Sequence, residues 1–203
     1  IALSYKMAHE PEYEDLATTT STLTGEKINR FTSLFMSTDD LVKKVKLQRI
    51  LGQRTGCCFQ RCVGMDAINA VYSTTFETDE KYGTSYHARF KEWLKYIQQN
   101  DLCVQGAMTD VKGDRGLRPS QQPDPDMFVH VVERCKDGIV IRGAKAHQTG
   151  SVNSHEMLIM PTLTMREGDE NYAVCCALPS DSKGVHFIYG RQSCDKRKLD
   201  EGD

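Results

Sequence analysis

The hydrophobic pattern changes near Asn100, and this change constrains the fold more than any other feature of the sequence. Before it, the segment TSYHARFKEWLKYIQQN, residues 84–100, repeats its apolar residues at the short intervals of an amphipathic helix. The residues that share the apolar face are Tyr86, Phe90, Trp93, Leu94 and Ile97. We therefore predict a helix whose apolar face is buried in a core.

Two earlier segments also favour helices. STDDLVKKVKLQRIL, residues 37–51, begins with Ser37 three residues before Asp40, a variant of the capping box in which each side chain bonds to the other residue's backbone. VGMDAINAVYSTTF, residues 63–76, is compatible with a helix that starts close to the cysteines before it. We predict a helical N-terminal domain over residues 1–100.

After residue 100, short apolar runs alternate with Gly, Pro, Asn and Asp, which is typical of strands and turns. FVHVVERCKDGIVIRGA, residues 128–144, predicts a hairpin that turns at Lys136-Asp137-Gly138, because Asp-Gly readily adopts the positive φ angles of a tight turn. Three more runs predict strands: HEMLIMPTLTM at 155–165, NYAVCCALP at 171–179 and GVHFIYG at 184–190. Helices followed by strands indicate an α+β fold, with a β-rich domain over residues 101–203.

The composition excludes some classes of function. Hydrophobic residues make up 39% of the chain and the net charge is -2, which is globular and lacks the excess positive charge of a nucleic-acid binder. No apolar run approaches the roughly 18 residues that cross a bilayer, and no signal peptide is visible. We expect a cytoplasmic protein with no nucleic-acid or membrane partner. Because CDKRKLDEGD, residues 194–203, ends in polar residues without a closing element, we also expect a longer parent protein.

The chain of 203 residues contains eight cysteines, three of them in CCFQRC, residues 57–62. A chain of this length can build a core without disulfide bonds, so we expect reduced and mostly buried thiols. On a helix, Cys58 and Cys62 would share one face, where thiolates could bind zinc or an iron–sulfur cluster. Packed thiols and a redox pair are the alternatives. No second close pair at similar spacing follows, so a metal here needs ligands from elsewhere in the fold.

AMTDVKGDRGLRPS, residues 107–120, combines basic side chains with two glycines. Such a loop can offer backbone N–H groups and the cations of Lys112, Arg115 and Arg118 to a pyrophosphate. It matches neither the Walker nor the Rossmann glycine pattern. A solvated charged turn is the alternative.

RGAKAHQTGSVNSHE, residues 142–156, follows the second strand of the predicted hairpin and is rich in hydrogen-bonding groups. Segments of this kind often present binding groups. The candidates are Lys145, His147, Gln148, Thr149, Ser151, Asn153, Ser154 and His155. The stretch lacks the G-x-S-x-G elbow of a serine hydrolase, and a structural role for its polar residues is the alternative to a binding site.

Three stretches occur together and in one order: TGCCFQRCVGMDA at 55–67, MTDVKGDR at 108–115 and RGAKAHQTGSVNSHEMLIMPTLTM at 142–165. In these stretches the chain resembles the 4-hydroxybutyryl-CoA dehydratase family, within the flavoproteins that include the 4-hydroxyphenylacetate 3-monooxygenases. The resemblance implies an acyl-CoA-dehydrogenase-like architecture: a helical N-terminal domain, a β-rich, barrel-like middle domain, and a C-terminal helical domain absent from this chain. It also implies a homotetramer.

The resemblance implies two cofactors. Cys58 and Cys62 would be ligands of a 4Fe-4S cluster, completed by a His and a third Cys from a later segment. FAD would contact Met108, Thr109, Asp110, Val111, Lys112, Gly113, Asp114, Arg115, His147, Gln148 and Thr149. The implied catalytic residues are Gln60, His147 and Thr149, with Thr149 near the reactive edge of the flavin ring.

The implied activity is dehydration of the acyl-CoA substrate 4-hydroxybutyryl-CoA to crotonyl-CoA, with isomerisation of vinylacetyl-CoA, by a radical mechanism that both cofactors assist. The dehydration has no net redox change, but it requires removal of a C3 proton that the thioester does not acidify. A redox cofactor would serve to make that proton acidic. The alternatives are a flavin-dependent aromatic hydroxylase of the same fold and a non-catalytic metal-binding interaction module. The resemblance favours the dehydratase, since the aromatic monooxygenases of the group lack cysteines corresponding to Cys58 and Cys62.

Overall fold

The computed structural model describes residues 1–190, 194 and 196, so most of the polar terminus at 194–203 lies outside the described residues. The helices are α1 Ala2–Met7, α2 Glu14–Ala17, α3 Thr38–Thr55, α4 Cys62–Tyr82 and α5 Tyr86–Gln99. The strands are β1 Thr18–Thr20, β2 Lys27–Asn29, β3 Val104–Ala107, β4 His130–Cys135, β5 Gly138–Arg142, β6 Glu156–Ile159 and β7 Cys176–Pro179. None of the described helices is both long and apolar enough to span a membrane.

Helix α3 begins and ends at residues suited to those positions. The Ser37 hydroxyl accepts a hydrogen bond from the backbone N–H of Asp40 at 3.2 Å, and the Asp40 carboxylate accepts one from the Ser37 N–H at 3.0 Å. This reciprocal arrangement confirms the predicted capping box. At the other end, Gly56 has a φ of 64°, the left-handed conformation that commonly closes a helix.

The helical core forms where α4 and α5 pack against each other and against the strands. Its buried residues are Leu34, Ala67, Ile68, Val71, Phe90, Leu94, Ile97, Val104, Leu158 and Met160. Trp93 packs against this cluster partly buried, as predicted. Tyr86 does not: it is the first residue of α5 and stays exposed, with the Arg89 guanidinium 5.0 Å from its ring centre. The predicted apolar face is therefore confirmed except at Tyr86.

The described strands form three separate sheets. β3 lies parallel to β6 and β6 lies antiparallel to β7, so β6 is the central strand of a mixed sheet. β4 and β5 form an antiparallel hairpin, and β1 and β2 form a short antiparallel pair. The fold is thus mixed α/β. Among the strands that the structure describes, no sheet closes on itself, so the implied barrel-like form is not seen there.

The predicted hairpin is confirmed, but its turn differs from the prediction. Cys135 pairs with Gly138, so the two residues of the turn are Lys136 and Asp137. Neither Asp137 nor Gly138 has a positive φ. The predicted use of the Asp-Gly pair is wrong because Gly138 already belongs to strand β5.

Two of the three other predicted strands form, within narrower limits than their apolar runs. Strands β6 and β7 lie inside the runs at 155–165 and 171–179. The prediction of a strand at 184–190 is wrong: the Val185 N–H bonds to the Ser182 carbonyl oxygen at 3.0 Å in a turn, and Ile188 is 94% exposed. No described strand pairs with this run, and an apolar pattern without a partner strand forms no ladder.

Helix α4 approaches strand β3 at backbone distance through two glycines. A Cβ atom added to Gly64 would lie well within 3.0 Å of the Val104 carbonyl oxygen, and one added to Gly106 would lie within 3.0 Å of Val63. Real Cβ atoms do not come so close, so both positions require glycine. This contact joins the helical part to the strands, and the division into two domains at residue 100 stays a prediction.

We expect Gly64→Ala to lower the free energy of unfolding by about 2 kcal/mol, because the added methyl group forces α4 away from β3. This net loss is expected despite the roughly 1 kcal/mol by which Ala is favoured over Gly inside a helix. Gly52→Ala in α3 is the matched control, since a Cβ there meets nothing within 4 Å, and it should be stabilising. Urea denaturation measures both changes. Equal stability of the two variants would contradict the close packing.

Candidate functional site

The CCFQRC stretch, residues 57–62, forms a loop, here called the cysteine loop, that leads into helix α4. Cys62 is the first residue of α4 and Cys58 lies in the loop before it, so the predicted placement of both on one helical face is wrong. The two thiols still interact, because burial of Cys62 and the neighbouring Cys58 thiol both raise the pKa of Cys62. The Cys58 sulfur also accepts a hydrogen bond from the Gln60 N–H at 3.4 Å. A bend at Gln60, where φ is 60°, therefore forms the pair.

The thiols are reduced, but most are not buried. Free thiols are found at Cys57, Cys58, Cys62, Cys103, Cys135, Cys175 and Cys176. The expectation of reduced cysteines is confirmed for these seven residues. The expectation of burial is wrong for all of them except Cys103, because the others lie in an exposed loop, at the start of helix α4, at the end of a hairpin strand, or on or beside a sheet edge.

The loop that follows strand β3 is held at its start by a buried ion pair. Lys145 pairs with Asp110, and both side chains are almost fully buried. The Lys145 ammonium also donates to the carbonyl oxygens of Met108 at 2.9 Å and Met160 at 2.7 Å, while Thr162 donates its hydroxyl to Asp110. Buried charges are stable only when paired and fully hydrogen-bonded, so this network fixes the loop against strand β6.

The far end of the same loop is held by Gln122. Its buried side chain donates to the carbonyl oxygen of Asp114 at 2.8 Å and accepts from the N–H of Asp114 at 3.0 Å. Gly113, with a φ of 49°, packs so closely against the side chains of Gln122 and Met127 that a Cβ there would force both to shift. The loop is therefore preformed, with the side chains of residues 111–115 exposed.

The segment after strand β5 runs alongside this loop. The backbone N–H of Ala146 donates to the carbonyl oxygen of Thr109 at 2.9 Å, next to an antiparallel β-bridge. His147 follows with a φ of 55°, an uncommon conformation for a residue other than glycine. His147 and Thr149 are exposed, and the partly buried Gln148 donates its amide to the Ala146 carbonyl oxygen at 2.7 Å.

The cysteine loop meets this segment at Gly150. A Cβ atom on Gly150 would lie 3.2 Å from the Gln60 carbonyl oxygen, and closer still to the side chain of Gln105. Gln60 lies between the two thiols of the pair, and Thr149 directly precedes Gly150. The structure therefore makes the cysteine loop, the loop after β3 and the segment after β5 neighbours.

Part of the polar stretch at residues 142–156 has a structural role. The Nδ1 atom of His155 accepts a hydrogen bond from the backbone N–H of Cys103 at 2.9 Å. Ser154 donates its hydroxyl to the Gly150 carbonyl oxygen at 2.8 Å. These two side chains stabilise the turn from inside, which is the structural role considered as the alternative to a binding site.

Arg118 does not lie among the exposed cations of the loop, contrary to the prediction. Its guanidinium pairs with the fully buried Asp169 and donates to the Thr164 carbonyl oxygen at 3.2 Å. Asp169 also accepts hydrogen bonds from the N–H groups of Ser120 and Arg166, both at 3.2 Å. Burial by itself raises the pKa of Asp169, but the bonds from Ser120 and Arg118 lower it to about 2. Arg118 anchors the segment instead of meeting a phosphate.

In the part of the chain that the structure describes, Cys58 and Cys62 have no third His, Cys, Asp or Glu placed to share a metal with them. Two thiols supply half of the four ligands that a zinc ion or an iron–sulfur cluster takes.

Sequence reasoning missed three side chains that support the site: Gln105, Gln122 and Asp169. Gln105 packs against Gly150, Gln122 holds the backbone of Asp114, and Asp169 lies 51 residues from its partner Arg118. No local motif signals such a pair, because a polar residue in a loop has the same appearance in the sequence whether it is exposed or buried.

The family comparison matches the whole chain, residues 1–203, to the family described as 4-hydroxyphenylacetate 3-hydroxylase N terminal. The chain belongs to this family. The 4-hydroxybutyryl-CoA dehydratase/vinylacetyl-CoA-Delta-isomerase of Clostridium aminobutyricum is 65% identical over 202 residues, covering 100% of this chain and 41% of that protein. The resemblance noted in the three stretches thus extends over the whole chain.

Solved structures of relatives show the same fold. An oxygen-tolerant archaeal 4-hydroxybutyryl-CoA dehydratase from N. maritimus is 53% identical with a TM-score of 0.92, covering 100% of this chain and 40% of that one. The oxygenase component of 4-hydroxyphenylacetate 3-monooxygenase, solved with FAD, is 27% identical with a TM-score of 0.69, covering 90% of this chain and 37% of that one. The chain therefore spans about 40% of the length of these family members.

We expect Lys145→Met to lower the free energy of unfolding by about 3 kcal/mol, because it leaves the Asp110 carboxylate buried without its cation. Lys136→Met, in the exposed hairpin turn, is the control and should change stability by less than about 0.5 kcal/mol. The double variant Asp110→Asn with Lys145→Met should recover part of the loss, since neither charge remains. Urea denaturation of the variants tests this. Similar stabilities for the two single variants would show that the ion pair does not support the loop.

Stability below pH 4 should depend on Asp169. Its folded-state pKa of about 2 lies below the ordinary 3.8, so its ionised form stabilises the fold above about pH 4, and this contribution disappears as the pH falls towards 2. Asp169→Asn should therefore be clearly less stable than wild type at pH 7 and nearly equal to it at pH 2. Glu80→Gln, at an exposed site on α4, should show no such convergence. Urea midpoints at several pH values test this, and a constant difference for Asp169→Asn would refute it.

Proposed function

We propose that this chain is the N-terminal and middle part of an enzyme that dehydrates 4-hydroxybutyryl-CoA to crotonyl-CoA and isomerises vinylacetyl-CoA, a lyase with isomerase activity. The observation that carries the proposal is the contact of the cysteine loop with the segment after β5 at Gly150, which sets the thiol pair beside the two exposed loops. The 65% identity to the Clostridium aminobutyricum dehydratase supports the same reaction.

The two exposed loops fit an FAD molecule. Met108 and Val111 offer apolar surface for a flavin ring, and Lys112 offers a cation for a phosphate. Buried groups at both ends hold the first loop in place, so little ordering would be needed on binding. The related oxygenase component solved with FAD supports this assignment. We propose that residues 108–115 and 147–149 line the FAD.

The thiol pair fits two ligand positions of a 4Fe-4S cluster. Thiolates are the usual ligands of such clusters, and the Cys62 thiol interacts directly with that of Cys58. Iron binding would replace the thiol protons, since only the thiolate is a ligand. We infer that the remaining ligands come from the rest of the whole protein. When bound, FAD would supply one-electron redox chemistry for a radical route and the cluster a Lewis acid for the departing hydroxyl.

Gln60, His147 and Thr149 are the proposed catalytic side chains. Gln60 lies between the two cysteines in the sequence, and its side-chain amide can hydrogen-bond an oxygen of the acyl-CoA substrate. The Thr149 hydroxyl can orient the flavin edge, and the His147 imidazole can hold a proton at a ring nitrogen. Gln60 and His147 both have positive φ angles, and such strained residues cluster at functional sites.

For the whole protein we propose the architecture that the resemblance implies. It comprises a helical N-terminal domain over residues 1–100, a barrel-like middle domain that starts at residue 101, and a C-terminal helical domain. The assembly would be a cytoplasmic homotetramer that binds acyl-CoA and neither nucleic acid nor membrane. The TM-score of 0.92 to the archaeal dehydratase supports this architecture.

A flavin-dependent aromatic hydroxylase is the second candidate. The description of the family names a hydroxylase. Two relatives, 27% and 29% identical, are oxygenase components of 4-hydroxyphenylacetate 3-monooxygenase. A non-catalytic metal-binding module is the third candidate. The three differ in what they contain: iron, sulfide and flavin for the dehydratase, flavin alone for the hydroxylase, and a metal without flavin for the module.

We expect Cys58→Ser and Cys62→Ser in the whole protein to lower iron and sulfide content at least tenfold, and dehydratase activity with it, because each removes a thiolate ligand. Cys57→Ser is the matched control, since Cys57 is an exposed neighbour outside the pair. It should keep both. Iron and sulfide analysis, the visible spectrum and conversion of 4-hydroxybutyryl-CoA are the measurements. If the wild-type protein contained flavin but no iron and hydroxylated 4-hydroxyphenylacetate, the aromatic hydroxylase would replace the dehydratase as the proposed function.

A further inference from the structure

Arg61 has the largest fully buried side chain of the described residues, with only 1% of its surface exposed. It lies inside the cysteine loop, directly before Cys62. Arginine is among the side chains least often buried, because taking its charge out of water is costly. A buried arginine next to an exposed thiol pair therefore needs a specific reason.

The surroundings of Arg61 offset part of the cost of its burial, although its Nη2 is buried without a hydrogen-bond partner among the described residues. Its guanidinium carbon lies 4.6 Å from the ring centre of Tyr5 and 4.7 Å from that of Phe31, so the cation makes cation–π interactions with two aromatic rings. Its Nη1 donates to the Ser4 hydroxyl at 3.1 Å. Helix α1 thus supplies one ring and one hydrogen-bond acceptor, and ties the cysteine loop to the N-terminal segment.

A half-buried carboxyl group adds a longer-range interaction. Burial raises the pKa of Asp101, and the positive charge of Arg61 opposes that rise. The Tyr5 hydroxyl donates to the Asp101 carbonyl oxygen at 2.8 Å, so the same aromatic ring that receives the guanidinium also links it to this segment. Asp101 lies just before strand β3. The Arg61 site therefore connects α1, the cysteine loop and the start of β3.

The cysteine loop alternates between inward and outward residues. Phe59 packs its ring 5.6 Å from that of Phe31, and Arg61 is buried on the same aromatic ring. Cys58 is exposed, while Gln60 and Cys62 are only partly buried. The backbone bends between the inward residues Phe59 and Arg61, at Gln60, whose φ is 60°. The bend lies between Cys58 and Cys62, and the Cys58 sulfur accepts the Gln60 N–H there at 3.4 Å.

We propose that Arg61 is the positioning residue for the Cys58–Cys62 thiol pair, holding both sulfurs at the spacing at which they can share one metal centre. It acts through the bend at Gln60 and touches neither thiol ligand site directly. The ligand role of the thiols rests on the proposed function, whereas the spacing of the two sulfurs does not.

Arg61→Met and Arg61→Lys in the whole protein test this proposal. Arg30→Met is the matched control: Arg30 is equally buried, but donates to the carbonyl oxygens of Asp15, Leu16 and Thr18. In iron-free protein, phenylarsine oxide bridges two close thiols and protects them from alkylation by iodoacetamide. Peptide mass spectrometry then measures the extent of alkylation separately for Cys58 and Cys62. Iron per subunit in the holoprotein is the second measurement, and urea denaturation reports stability.

For Arg61→Met we expect half-protection of both thiols to need about tenfold more phenylarsine oxide, and iron content to fall in parallel. Arg61→Lys keeps the cation over the rings and should lie between Met and wild type. Arg30→Met should lose comparable stability with protection unchanged. Unchanged protection in Arg61→Met, or an equal shift in Arg30→Met, would overturn the proposal. A wild-type protein without iron would overturn the proposed cluster, while the protection assay would still decide the role of Arg61.

Discussion

The close backbone contact between helix α4 and strand β3 determines where every part of the candidate site lies. Gly64 sits against the Val104 carbonyl oxygen without space for a side chain, and it is only two residues from Cys62. Strand β3 leads directly into the loop whose start is held by Asp110. A helix and a strand that touch at their backbones have no flexible side chain between them to absorb a displacement. The distance from the thiols to the loop is therefore set by two glycines.

Buried polar groups then give each loop its direction. Apolar burial holds the elements together, but it is non-directional and does not orient a loop. The pairs Lys145–Asp110 and Arg118–Asp169, together with Arg61 between its aromatic rings, are directional and connect segments that are distant in the chain. A buried ion pair is weak evidence for stability, since its desolvation is costly. Fixing the geometry of an exposed site is a better explanation for three such groups around one site.

Much of the local structure could be predicted from the sequence, because it depends on neighbouring residues. The capping box at Ser37, the apolar face of α5 and the β4–β5 hairpin are examples. The failures depend on distant residues. The run at 184–190 has the pattern of a strand, but none of the described strands pairs with it. A loop with a bend at Gln60 joins the two thiols, and the helical spacing that first suggested the pair does not apply, because Cys58 lies before the helix begins.

Each of the three stretches contains both exposed chemical groups and buried supports, in close alternation. In the cysteine loop Cys58 is exposed and Arg61 is buried; in the next loop Lys112 is exposed and Asp110 is buried; after β5, His147 is exposed and the side chain of Lys145 is almost fully buried. The quoted motifs therefore contain the site together with the residues that shape it. A stretch that matched a family only in its exposed residues would lack those supports. The 65% identity over the whole chain thus means more for the geometry of the site than a match of the ligands alone would.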